Sequence, residues 1–577
     1  MVPYRGLVTV CLAVAVAFAG AGHGPPAGLH LAVALAAEPD SDGDGCPEAD
    51  ENGPDETLGG QRDPNNVWDY FNPTHDGQNR VDDILAVVNR YFLDEGAAGY
   101  SQEYDRTYVG PNEWNLGPPN GQIRVDDVLH SVKQYFQDCG PVAKTPTLTR
   151  ASDPVVLRGA GVPSLQGVAP DDLVAFHWNA GWGQVPVQVD ERDVVEFSQV
   201  YNSGYGSGVF EEQYTDAGTF TGPDTNPLLD TNDEIAFMAR DAGKRPTAFS
   251  EPAGVVADSG IEVRIVDPLD GGVGYVYLFV QTGGLDPGAG LQYVTYDLNL
   301  LSGPYLTTYN TGTGPNPEDS AVTAPYYAHH FSDRWISDEI RVTAGAATGV
   351  DILDRHKNLF APGNCGRSED TFSNGEGAFV VNKSGPVRAL RSYVGANSGP
   401  LTQRENVFYD RRQDIRTFLR VHAIGGMMDF FDYSPAASGM TYYNDLNLSG
   451  VTIDGSPDGV VTGPFQWELV TGTQGSLVIA GSVSTNMDPF TPTSYYLDDS
   501  TPPVTQCTGD ASAYGSSGLW LNQAIPCTTP DCPTYLTGTR TLYYEAPGLA
   551  VADAELRRDW ASNPLAVSFS TWTSPGP

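Results

Sequence analysis

Residues 77–92 and 121–136 are two copies of one segment. Gly77-Gln-Asn-Arg80-Val81-Asp82-Asp83-Ile84-Leu85 returns as Gly121-Gln-Ile-Arg124-Val125-Asp126-Asp127-Val128-Leu129, and each copy runs on to a Tyr-Phe pair, Tyr91-Phe92 and Tyr135-Phe136. A repeat this close marks a duplicated supersecondary unit. Past the double Asp, Ile84, Val87, Val88 and Tyr91 fall at i, i+3, i+4 and i+7, and so do Val128, Ser131, Val132 and Tyr135. That is the spacing of an amphipathic helix. Neither helix can bury its stripe alone, so the two are expected to pack together.

The residues ahead of each helix suit a calcium loop, in which oxygen ligands recur at alternate positions around an obligatory glycine. With Gly77 at the turn, Asn72, Thr74, Asp76 and Asp83 take the ligand positions. With Gly121 there, Leu116 and Pro118 fall where side-chain oxygens are needed, leaving Asn120 and Asp127. That loop reads as a turn before a helix capped by Asp126 or Asp127. A third loop lies upstream, Asp40-Ser-Asp42-Gly-Asp44-Gly45-Cys46-Pro-Glu48-Ala-Asp-Glu51. It matches the pattern at every specified position, and Asp40, Asp42, Asp44, Cys46, Glu48 and Glu51 are its expected calcium ligands.

A glycine-opened loop followed by one amphipathic helix, then repeated, resembles the dockerin-type duplicated half-EF-hand, over about Asp69 to Cys139. The Asp40 loop, with no helix before it, is similar to a thrombospondin type 3 calcium repeat. Both resemblances imply calcium-stabilised extracellular modules. The dockerin likeness further implies attachment to a scaffold or surface protein.

The first 36 residues have the features of an export signal: Arg5, an apolar core from Leu7 to Ala19, and Ala34-Leu35-Ala36 as a cleavage site. No later segment is apolar enough to cross a bilayer. Cleavage would remove Cys11 and leave six cysteines, an even number that suits disulfides in an exported chain. Cys46 and Cys139 bracket one compact module and are the favoured pair. The net charge of −41 argues against nucleic-acid or anionic-membrane partners, which would repel it. The expected location is extracellular or at the cell surface.

Residues 38–140 are thus expected to form a small α-helical calcium-binding module, followed by a linker over 141–152. Beyond it, Val185 to Val189, Ile261 to Val266, Tyr275 to Gln281, Val387 to Val394, Ile415 to His422 and Thr541 to Glu545 are short runs rich in Val, Ile, Tyr and Phe. Turn residues separate them, and hardly any helical period is sustained. The expected fold class is mainly β, of sandwich type, in two lobes over 153–310 and 325–577.

Candidate chemistry in the β region comes from three groups. Asp190-Glu191 and Asp230, Asp233 and Glu234 lie at strand ends, where paired carboxylates can serve glycoside cleavage, hold calcium or simply face water. His329 and His330 stand beside Asp333 and Arg334. His422 shares a strand face with Phe418 and Arg420, and Arg391 shares one with Tyr393. A base beside a cation suits proton abstraction next to a sugar carboxylate, and the same residues suit a hydrogen-bonded ladder on an exposed sheet. The stretch from Gly385 to His422 resembles the galactose-mutarotase-like β-sandwiches of many polysaccharide-active enzymes, without a motif that assigns a catalytic residue. Nucleophile-elbow, zinc-helix and phosphate-loop motifs are absent from the sequence. Two functions remain open: a tethered protein that binds or cleaves extracellular polysaccharide, and a non-enzymatic surface or matrix adhesion protein.

Overall fold

The computed structural model describes residues 41–572, apart from 53–59, 75–78, 141–147, 201–206, 247–249, 302–317, 361–376, 396–401, 420–423, 502–511, 527–533 and a few single positions. The expected export segment, Asp40, Asp76, His422 and the four cysteines from Cys365 to Cys532 lie outside the described residues.

The N-terminal module contains the two expected helices, Val81–Val88 and Val125–Lys133. Each starts where its second Asp reaches back: Asp83 Oδ2 accepts the Arg80 N–H at 2.8 Å, and Asp127 Oδ2 accepts that of Arg124 at 2.7 Å. This return bond satisfies a donor that the first helical turn leaves open. The helices touch, with Val87 fully buried and Val128 partly so, in a core completed by Phe71, Tyr104, Leu116 and Ile123. The apolar faces are not wholly consumed by this packing. Val81, Leu85 and Val88, and their repeats Val125, Leu129 and Val132, remain exposed. Cys46 and Cys139 form the favoured disulfide and close the module end to end.

The second repeat carries an insertion that its sequence register conceals. A short hairpin, Thr107–Tyr108 with Leu116–Gly117, interrupts the loop. Asp105 then accepts the N–H groups of Asn120 and Gly121 at 3.0 and 2.8 Å, and Asp127 Oδ1 accepts that of Arg106 at 2.6 Å. In the first repeat the Thr74 N–H makes the corresponding bond to Asp83 Oδ1 at 3.0 Å. Leu116 therefore belongs to the inserted hairpin, which Pro118 directly follows.

From Leu148 onward the chain is mainly β, in antiparallel sheets. Four of them stack as layers. A five-stranded sheet, which includes Ile261–Val266 and Val273–Val280, packs against a three-stranded sheet of Pro154–Arg158, Glu234–Met238 and Gln188–Asp190. Alternation divides each short strand: Val155, Leu157, Ile235 and Phe237 face the first sheet. Val156, Ala236 and Met238 face the other way, onto Leu390 and Val407 of a nine-stranded sheet and onto Val387 and Tyr409 beside those strands. That sheet packs in turn on an eight-stranded one across the largest core, which includes Phe408, Ile415, Phe431, Leu477 and Leu542.

Two boundaries differ from the expected ones, and one helix was not expected. Leu148–Ser152 is not free linker, because the fully buried Arg150 bonds Asp153, Asp267 and the carbonyls of Trp560 and Asn563. The last strand, Ala566–Thr571, leaves the second lobe and pairs with Ile261–Val266 in the first. A helix, Val551–Ser562, lies against the nine-stranded sheet through Ala554, Trp560 and Ala561. Its buried face is that narrow, so its sequence shows little helical period.

Candidate functional site

The interior between the two large sheets is apolar at one end and densely polar at the other. In the eight-stranded sheet, Asp429 lies on Met427–Tyr433, two residues before the core side chain Phe431 and so on the same inward face. The neighbouring strand Leu353–Phe360 sets His356 opposite Phe431 and stacks the two rings at 4.3 Å. From the nine-stranded sheet, Arg540 on Leu536–Glu545 and Glu468 on Trp467–Gly472 point into the same space.

These four side chains form one chain of contacts. His356 Nε2 donates to Asp429 Oδ1 at 2.8 Å, and Arg540 Nε donates to Oδ2 at 3.0 Å. Arg540 also reaches the Asp429 carbonyl at 2.5 Å and, on its far side, Glu468 Oε2 at 3.5 Å. Glu468 Oε1 accepts the Tyr442 hydroxyl at 3.1 Å. Burial opposes ionisation of Asp429, but Arg540 and His356 outweigh it and hold the carboxyl well below the usual range. Burial lowers His356 to about 4, and the Arg404 charge adds to the effect. Burial raises Glu468 to about 7 against the pull of Arg540. The site therefore pairs one firmly ionised carboxylate with one that changes protonation near neutrality.

A cavity of about 120 Å³ opens on this chain, with room for several water-sized groups. Asp429 and Arg540 form its polar wall, and Phe465, Phe490, Pro492 and Leu519 its apolar one. Gly481 and Gly538 line it too, and nothing lies within 4 Å of where a Cβ would stand on either. Glycine here keeps space open; neither backbone has the left-handed φ that would demand it.

The residues singled out from sequence take other places. His329 is buried beside this interior, bonded to Ser337 and 3.2 Å from Gln413 Oε1. Burial first, and then the His356 charge, lowers it to about 3. His330, one residue on, faces the other way, between Asp319 at 3.0 Å and Asp338 at 2.7 Å. Arg391 is fully buried in a two-pronged pair with Glu318 at 2.9 and 2.6 Å, and it covers the Phe331 ring at 4.0 Å. Tyr393 packs edge-on against Trp335 at 4.4 Å. His329 and Arg391 thus flank one ring, Phe331. The strand-end carboxylates Asp190 and Glu234 are buried between the lobes, 2.7 and 2.8 Å from Arg388. Asp429, Arg540 and Glu468 escaped notice in the sequence. The available signal was a charge inside an otherwise apolar strand, as in Met427-Met428-Asp429-Phe430-Phe431.

A second cluster sits in the N-terminal module. Ligand oxygens of Asp42, Asp44 and Glu51 lie within 4.8 Å of one another. Gly43 and Gly45 take left-handed φ of 79° and 93°, which bends the loop around this point. Glu51 is brought in by the short helix Glu48–Glu51, while Glu48 itself bonds Ser41. The Cys46 side chain is in the disulfide. In the first repeat, Asn72 Oδ1 accepts the Thr74 hydroxyl at 3.0 Å, and Thr74 Oγ1 also lies 2.8 Å from Asp83 Oδ1. Those side chains close the loop on one another.

No protein-family model and no curated protein matches the chain. Among solved structures, an assigned aldose 1-epimerase from Escherichia coli K12 aligns at 12% identity over 44% of this chain and 99% of that one. Its TM-score of 0.21 is too low to carry an argument about fold or function.

Proposed function

We propose that this chain is an exported, calcium-binding modular protein whose β-rich region binds an extracellular polysaccharide in the cavity at Asp429 and Arg540. The observation that carries the reading is the cavity itself: an apolar wall, a charged hydrogen-bonding wall and a bed of two glycines. A sugar ring has the matching surfaces, with a C–H face for Phe465 or Phe490 and vicinal hydroxyls for a carboxylate and a guanidinium. Binding is favoured over cleavage because only one of the two carboxyl groups lines the cavity. Glu468 is fully buried, with Arg540 between it and Asp429.

The test is titration of the full chain with a panel of soluble neutral and acidic polysaccharides, followed by calorimetry. Gly538→Val should abolish binding by filling the bed while leaving the melting temperature near that of wild type, since a β-branched residue suits a strand. Asp429→Asn should weaken binding by about tenfold or more, the scale of one charged hydrogen bond. Failure of every polysaccharide to bind, or undiminished binding by Gly538→Val, would overturn the reading.

For the N-terminal module we propose that Asp42, Asp44 and Glu51 hold one Ca²⁺, a hard cation that takes carboxylate oxygens. The module would then serve to tether the β region to a scaffold or surface partner. Chelation should lower the melting temperature of the first unfolding transition, and millimolar calcium should restore it. An unchanged transition would count against a structural ion.

A further inference from the structure

We propose that the cavity at Asp429 and Arg540 takes neutral polysaccharides and excludes those whose sugars carry carboxylates. This rests on the polysaccharide reading above and deepens it from a match of surfaces to a rule of charge.

Among the described residues, Asp429 and Arg540 are the only charged side chains lining the cavity, one negative and one positive. The positive one is already committed. Arg540 Nε donates to Asp429 Oδ2 at 3.0 Å and Nη2 to the Asp429 carbonyl at 2.5 Å, while Nη1 faces Glu468 Oε2 at 3.5 Å. A guanidinium recognises a carboxylate through two parallel N–H groups on one edge. Here the Nε–Nη2 edge is closed by Asp429, and Nη1 is turned to Glu468. Arg404, the other arginine whose charge acts on Asp429 beside Arg540, is not part of the lining. Its donors go to the hydroxyls of Thr417 at 3.4 Å and Tyr393 at 3.5 Å.

The negative wall group is the one with capacity left. Asp429 accepts from Arg540 and His356, and an ionised carboxylate has about four lone-pair sites. A sugar hydroxyl can donate to those that remain. A sugar carboxylate in the same place would meet Asp429, with Glu468 behind Arg540, and would give up its hydration without gaining a cation of its own. That cost is not recovered. The net charge of −41 also repels acidic chains, but it acts from outside the cavity and is screened by salt.

Polymers that share a backbone and differ in carboxylates test this by calorimetry on the full chain. The pairs are hydroxyethylcellulose against carboxymethylcellulose, methyl-esterified against de-esterified homogalacturonan, and the propylene glycol ester of alginate against alginate. The uncharged member of at least one pair is expected to bind. Its carboxylate counterpart should bind about tenfold or more weakly, in about 0.1 M and about 1 M NaCl alike. Asp429→Asn leaves Arg540 without its partner charge in the wall and should reverse the preference. Glu468→Gln keeps an acceptor for Tyr442 and should narrow the preference at pH 8, where the wild-type carboxyl is ionised. If no polymer of any pair binds, the polysaccharide reading itself falls. If the acidic member binds as tightly as the neutral one, or more tightly, only the charge rule is overturned. A preference that vanishes in about 1 M salt also overturns it, since the overall charge of the chain would then be the cause. So does a preference that neither Asp429→Asn nor Glu468→Gln alters.

Discussion

Arg388→Ala is expected to destabilise the protein by about 3 kcal/mol, measured by urea unfolding at pH 7. Arg388 is buried where the three-stranded sheet meets the nine-stranded one, and it holds Asp190 at 2.7 Å and Glu234 at 2.8 Å. Truncation leaves two carboxylates buried with one fewer cation between them. The effect is placed at the low end for a broken buried pair because Lys383 still reaches Asp190 and Arg192 still reaches Glu234, each at 2.7 Å. The pH dependence has a definite sign. Burial opposes ionisation of Glu234, but Arg388 and Arg192 outweigh it and depress its carboxyl to about 2. Asp190 is depressed likewise, against its burial, by Lys383 and Arg388. A depressed carboxylate contributes stability above its unfolded value, here near 4, and that stability is lost as pH falls through the folded one. The stability these two carboxylates contribute should therefore be lost mainly below pH 4. In Arg388→Ala the folded values move up toward the unfolded ones, so the loss on acidification should be smaller than in wild type. An unfolding midpoint equal to wild type at both pH 7 and pH 4 would show that the lobes do not depend on this cluster.

Glu468→Gln is expected to become more stable than wild type as pH rises, with a relative gain of about 3 kcal/mol between pH 4 and pH 8. Burial is the main cause, raising the Glu468 carboxyl from 4.5 to about 7 with Arg540 opposing. The folded state then holds a proton that the unfolded state has released, so wild-type stability falls with rising pH across that window. Glutamine keeps the shape and the bond from Tyr442 while removing the titration. The quantity to compare is the difference between variant and wild type at each pH, which cancels the other titrating groups. A difference that stays flat from pH 4 to pH 8 would rule out a Glu468 that ionises near neutrality.

Much of the local structure is legible in the residues. The strand Ile261–Val266 falls where its β-branched run places it, and both repeat helices begin beside their double Asp. The Cys46–Cys139 pair follows from their bracketing of one module. These features depend on neighbours in the chain, through period, capping and turn chemistry. The helix Val551–Ser562 was missed because its contact with the sheet is narrow, so its sequence carries a weak stripe. The hairpin inserted into the second loop was missed because sequence register counts residues, whereas the loop is closed by Asp105 and Asp127 reaching across space.

The candidate site was harder to read for the same physical reason. His329 and His330 are adjacent in sequence, but pleating turns one into the sandwich and the other toward Asp319 and Asp338. Asp429 and Arg540 lie on strands from different sheets, more than a hundred residues apart, and only the packing of those sheets makes them one wall of a cavity. The sequence alone determined a mainly β chain led by a duplicated helical module and an acidic loop, because hydrophobic period and ligand spacing are local properties. Tertiary structure decided which charges are buried, which carboxyl stays near neutrality and where a ligand has room. Each of those depends on what the other sheet sets opposite.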